Sequence, residues 1–219
     1  LAARDPEDAR SQRDLSVSLE KVGNVLQAQG DLSGAQRHYE VSLEIREALA
    51  AREPEHAGWQ HDLSVSFENL GNVLRAQGDL SEAQRHYEAT LEIRQALAAR
   101  EPEHAVWQRD LSVSHNKLAD LLQAQGELAG AQQRYKAGLR ISAALTKRDP
   151  DNAVWQRDLS VSWANLGAIC GAQGDAAGQR AHLARAHGIM QVLVQRWPDH
   201  PQFRKDLEKL DDAIASLDA

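Results

Sequence analysis

The string Asp-Leu-Ser-Val-Ser begins at Asp14, Asp62, Asp110 and Asp158, returning every 48 residues without a gap. Gly30, Gly78, Gly126 and Gly174 keep the same register, as do Pro6, Pro54, Pro102, Pro150 and Pro198 and Ile45, Ile93, Ile141 and Ile189. Residues 11–58 and 59–106 are identical at 37 of 48 positions, the mark of recent duplication. A fixed internal period of this length specifies stacked copies of one supersecondary unit that share a core with their neighbours. The copies are 11–58, 59–106, 107–154 and 155–198, with 1–10 matching the end of a preceding helix and 199–219 left for a capping helix.

Each copy divides into two helices at its punctuation. In the second copy Trp59, Leu63, Phe67, Leu70 and Leu74 recur at spacings of three and four, which predicts a helix over 57–77 with one buried stripe. Gly78 ends it, because glycine tolerates positive φ. Leu80, Ala83, Tyr87, Leu91 and Leu97 or Ala98 predict a second helix over 80–100, stopped at Glu101-Pro102. Asn152 is placed to cap the helix that follows it. Short connections force the two helices antiparallel, so the units stack side by side. In the fourth copy Gln179, Leu183 and His187 replace alanine, tyrosine and leucine, which is how an array degenerates at its end. Phe203, Leu207, Leu210, Ile214 and Leu217 then predict a one-sided helix over 201–217 that solvates the end of the array.

Leu70-Gly71, Leu74, Gly78, Ala83 and Tyr87 fall in the order and spacing of the tetratricopeptide repeat, and the chain resembles that family over nearly its whole length. Val22-Gly23, Leu26, Gly30, Ala35 and Tyr39 fit the same pattern, as do Leu118-Ala119, Leu122, Gly126, Ala131 and Tyr135. The standard repeat has about 34 residues, and the surplus here lengthens both helices. Such tall repeats resemble those of kinesin light chains and of bacterial signalling proteins. The resemblance implies an all-α, right-handed solenoid of antiparallel helix pairs that binds proteins. It also implies that Gly71 and Ala83 lie where the helices of a pair cross. Trp59, Trp107 and Trp155 are expected to wedge against the preceding unit, while Ser11 in the first copy suggests a missing upstream neighbour.

Composition narrows function by exclusion. With 25 Lys plus Arg against 32 Asp plus Glu the net charge is −7, which disfavours a phosphate backbone, and no apolar run approaches the ~18 residues of a membrane span. Cys170 is the lone cysteine and stands where other copies have leucine, so it reads as a buried apolar filler. The nine histidines are spaced as repeat copies rather than as metal ligands and are expected on the surface; His182 and His187 are five apart, which misses helical ligand geometry. The Asp-Leu-Ser-Val-Ser string lacks a histidine base in each copy and reads as helix surface and packing. No enzyme activity, cofactor or metal is expected. A cytoplasmic location is expected, and the start at Leu1 without methionine reads as a fragment of a longer protein.

By resemblance, the first helices line a concave groove whose candidates are Glu20, Asn24, Glu68, Asn69, Asn72, Arg75, Asn116, Lys117, Asp120 and Gln123. Polar amides in a row suit an extended peptide backbone, so the expected partner is a protein or extended peptide, with neither nucleic acid nor membrane. Asn24, Asn69 and Lys117 match places in the carboxylate clamp of chaperone-binding members. Glu20 and Val113 stand where that clamp has lysines, and a glutamate there would repel a carboxylate. Two other readings remain: a spacer or self-association element whose first repeat stacks on another copy, and the regulatory half of an enzyme whose catalytic domain lies elsewhere.

Overall fold

The computed structural model describes residues 6–217, and among them every regular element is an α-helix. These are α1 (Pro6–Ala28), α2 (Leu32–Arg52), α3 (Ala57–Gln77), α4 (Leu80–Arg100), α5 (Ala105–Ala124), α6 (Leu128–Arg148), α7 (Ala153–Ala172), α8 (Ala176–Arg196) and α9 (Pro201–Ala215). They pack as two compact units divided after Pro102, one holding α1 to α4 and the other α5 to α9. Within each unit, helices adjacent in sequence lie against each other. The protein is an all-α helical-repeat solenoid.

The helix boundaries follow from local chemistry. Gly30, Gly78, Gly126 and Gly174 take φ between 80° and 89°, the left-handed geometry that a side chain resists. The next residue then caps the second helix: Asp31, Asp79 and Asp175 accept from the N–H groups of Gly34, Glu82 and Gly178 at 2.8, 3.2 and 2.8 Å. At the start of α3, α5 and α7 the residue three before the tryptophan does the same for the first helix of the hairpin. His56 Nδ1 accepts from Trp59 N–H at 3.2 Å and its ring stacks on the indole at 4.5 Å. His104 repeats this with Trp107, and Asn152 Oδ1 accepts from Trp155 N–H at 3.2 Å. The expected helices over 57–77 and 80–100 are found with those bounds.

Glycine inside the first helix has a different cause. A Cβ on Gly71 would come within 2.7 Å of the Tyr87 ring, and on Gly23 within 2.5 Å of the Tyr39 ring. The small residue therefore makes room for the tyrosine that the second helix drives inward. Ala35, Ala83 and Ala131 are fully buried between the same helices, where a larger residue would push the axes apart.

Three local expectations change. Pro6 to Arg10 begin α1 instead of ending an earlier helix, since proline is readily accepted in a helix's first turn; residues 1–5 of that expectation lie outside the described residues. The capping helix ends at Ala215, and Ser216 and Leu217 form a turn. Trp59 is half-buried: it stacks on its own cap and lines a cavity with Ala9, Arg10 and Arg13 rather than filling the space. In the second unit α9 lays Phe203 and Leu210 onto Leu183, Met190 and Leu193 of α8, closing the apolar end of that unit.

Candidate protein-binding face

Successive first helices are tied side by side by an ion pair 49 residues long. Arg13 Nε meets Asp62 at 2.5 Å, Arg109 meets Asp158 at 2.5 Å, and Arg157 meets Asp206 at 2.7 Å. Asp62 and Asp158 open Asp-Leu-Ser-Val-Ser, and Asp206 holds the same repeat position on α9, so that position is an inter-repeat latch. The string's first serine is buried in each copy, at Ser16, Ser64, Ser112 and Ser160. In two copies the latch surrounds a buried guanidinium. Arg46 of α2, 3% exposed, donates to Ser16 Oγ and Glu20 of α1 and to Asp62 O and Ser66 Oγ of α3, with its partners 2.5 to 3.1 Å away. Arg94 repeats the pattern with Ser64 and Glu68.

The candidates inferred from sequence thus fall into two groups. Most brace the hairpin. Glu20 and Glu68 neutralise Arg46 and Arg94. The hydroxyls of Tyr39, Tyr87 and Tyr135 donate to Asn24, Asn72 and Asp120 at 2.7, 2.9 and 2.6 Å, and that of Tyr135 also to Gln123 at 3.1 Å. Arg75 and Lys117 are engaged as well. Asn116 replaces Glu20 in the third copy, and its Oδ1 is buried without a partner. Asn69 is half-buried, four residues after Val65 on α3. The unit of α1 to α4 carries Glu20, Asn24, Glu68, Asn69, Asn72 and Arg75, and the other unit carries Asn116, Lys117, Asp120 and Gln123.

Sequence reasoning named Val113 only as a departure from the carboxylate clamp and missed that a valine recurs at its position in every copy. Val17, Val65, Val113 and Val161 are all half-buried, each followed four residues later by Lys21, Asn69, Lys117 or Asn165. Their spacing of 48 was a usable signal. It was overshadowed by the polar residues, whose partners lie on other helices.

Histidine gives a clear correction. His115, expected at the surface, is buried in α5 with its Nδ1 unpartnered, because it occupies the position that Leu19, Phe67 and Trp163 hold in other copies. Burial, reinforced by the charge of Arg134, lowers its pKa to about 4. Burial also lowers the pKa values of His86 and His182. Cys170 is buried, and burial with Asp175 nearby pushes its thiol up, away from thiolate reactivity. No described helix is long and apolar enough to cross a membrane.

A family model for the tetratricopeptide repeat matches residues 16–57 and 64–104, and a second model of the same description matches 113–136. No curated protein matches the sequence. Among solved structures, BtubC (BKLC) from P. vanneervenii is similar at a TM-score of 0.62 and 16% identity, covering 100% of this chain and 90% of its own. A Podosopora anserina putative kinesin light chain with nearly identical TPR-like repeats is similar at 0.52 and 18% identity, covering 94% and 96%. Those identities speak to the fold alone, but the matched segments and the fold agree, and residues 16–57, 64–104 and 113–136 are tetratricopeptide repeats.

Proposed function

We propose that the protein binds a partner protein, in extended form, along the exposed edges of its first helices. Tetratricopeptide repeats mediate protein–protein interaction, and stacked repeats present long faces suited to it. The observation that carries the reading is the recurring pair of a half-buried valine and, one turn on, an amide or lysine: Val17 with Lys21 and Val65 with Asn69 in one unit, Val113 with Lys117 and Val161 with Asn165 in the other. Each pair offers an apolar contact beside a hydrogen-bond donor, which is what an extended chain with alternating side chains and carbonyls requires. The test is capture from lysate by the full chain and by a Val65→Asp/Asn69→Asp variant. Loss of specific partners with an unchanged circular dichroism spectrum supports the reading; an identical set of partners removes it.

Self-association is favoured by one observation. Leu15, Val22 and Val25 are exposed on α1, while the same repeat positions on α3, Leu63, Leu70 and Val73, are buried. Sedimentation velocity decides it, since a monomer at all concentrations contradicts stacking through α1.

A further inference from the structure

A cavity of about 440 Å³ lies between α7, α8 and α9, in the place where the first unit buries Arg46. Ser160, Ala164, Met190, Asp206 and Leu210 line it, and they hold the repeat positions of Ser16, Glu20, Arg46, Asp62 and Ser66. Three linked replacements have therefore emptied a charged cluster: arginine to methionine, glutamate to alanine, and serine to leucine. The neighbouring tyrosine bond is gone too, because Leu183 and Ala168 replace Tyr39 and Asn24, and both line the same cavity. Met190 is fully buried and Leu183 and Leu210 nearly so, and the open apolar wall is Val161, Ala164, Ala168 and Ala213, around a space of a size that suits a ligand group.

Its mouth is not apolar. Asn165 and Gln179 line it and carry amide donors. Lys209 stands where four other copies have valine (Val17, Val65, Val113 and Val161), is exposed, and forms no ion pair among the described residues. Arg157, also at the mouth, is neutralised by Asp206. Positive charge and donors over an apolar wall complement an apolar body with an anionic neighbour.

We propose that this cavity receives a bulky apolar side chain flanked by a carboxylate on the partner's extended chain, the side chain against Ala164, Ala168 and Ala213 and the carboxylate at Lys209. This rests on the first-helix reading above, since Val161 and Asn165 belong both to the cavity wall and to the recurring pairs. A free fatty carboxylate is the competing occupant.

The test is fluorescence polarisation of the full chain with a fluorescein-labelled peptide, Ser-Gly-Asp-Phe-Gly-Ser amide. Two comparison peptides replace the phenylalanine with alanine or the aspartate with asparagine. The proposal expects each comparison peptide to bind at least about tenfold more weakly, the discrimination that one buried apolar group or one ion pair commonly provides. Lys209→Val, which restores the repeat residue, should abolish the preference for aspartate. Ala164→Glu/Met190→Arg/Leu210→Ser, which rebuilds the charged cluster of the first unit, should fill the cavity and remove binding. Equal affinity for all three peptides, no binding at millimolar protein, or binding of decanoate but not of the peptides overturns the proposal. Those results leave the first-helix reading standing if the Val65→Asp/Asn69→Asp variant still loses its lysate partners; that reading falls separately if those partners are kept.

Discussion

Arg46 and Glu20 meet at 2.5 Å between α2 and α1, with the guanidinium withdrawn from solvent, and 144 residues further on Met190 and Ala164 occupy the same two repeat positions. A buried charge is tolerated when it is paired and is costly when it is alone, so the two positions change together. Ser142 and Asn116 show an intermediate: Ser142 Oγ lies 2.8 Å from Ser112 Oγ and 3.3 Å from Ser162 Oγ, a neutral link across α5, α6 and α7 at the equivalent repeat positions.

Removing one member should therefore cost more than removing both. Glu20→Ala alone strands the buried Arg46 and is expected to destabilise the first unit by about 2 kcal/mol, less than a fully buried pair because Glu20 keeps some exposure. Glu20→Ala/Arg46→Met/Ser66→Leu, the solution found at α7 to α9, is expected within about 1 kcal/mol of the parent. Urea denaturation compares them, and a triple variant less stable than the single contradicts the linkage.

Gly71 faces the Tyr87 ring so closely that size alone should set the outcome of substitution. Gly71→Leu is expected to unfold part of the first unit, at a cost of about 3 kcal/mol or more from overpacking. Gly71→Ala should cost about 1 kcal/mol, because Ala119 already occupies the same repeat position beside Tyr135 in the third copy. Hydrogen exchange of α3 and α4 separates the two.

The histidine caps make a narrower prediction. His56→Ala removes the acceptor of the Trp59 N–H and should cost about 1 kcal/mol. His56→Asn should be nearly neutral, since Asn152 performs the same task for Trp155. Thermal melts of the two variants provide the check.

Acid should weaken the second unit through His115. Its folded pKa of about 4 lies below the unfolded value near 6.5, so the unfolded chain binds more protons between those limits. Stability is then full above pH 6.5 and is lost as pH falls toward 4, by at most about 1.4 kcal/mol per pH unit. His115→Phe, the residue of the second copy at Phe67, should flatten that part of the profile in urea titrations at successive pH values.

The helices were legible to the residue where their signals are local. Ala57–Gln77 and Leu80–Arg100 follow from a stripe, a glycine with positive φ and a Glu-Pro stop. The roles of Glu20, Asn24, Asn72 and Asp120 were not legible from one copy, because each is fixed by a side chain on another helix. A signal did exist along the repeats: arginine with glutamate twice, then Ser142 with Asn116, then Met190 with Ala164. Read as linked substitutions, they locate the buried pair and the emptied cavity. His115 was misplaced for a related reason, since its polarity suggested solvent while its repeat position is held by half-buried Leu19, Phe67 and Trp163 in the other copies.

The central claim is that partner proteins lie on the first helices, and cross-linking mass spectrometry of complexes captured by the full chain tests it most directly. Cross-links from the partner concentrated near Lys21 and Lys117 on α1 and α5, with Lys136 and Lys147 of α6 left unmodified by the partner, are the predicted result. Cross-links confined to Lys136 and Lys147 would place the partner on the second helices and contradict the account.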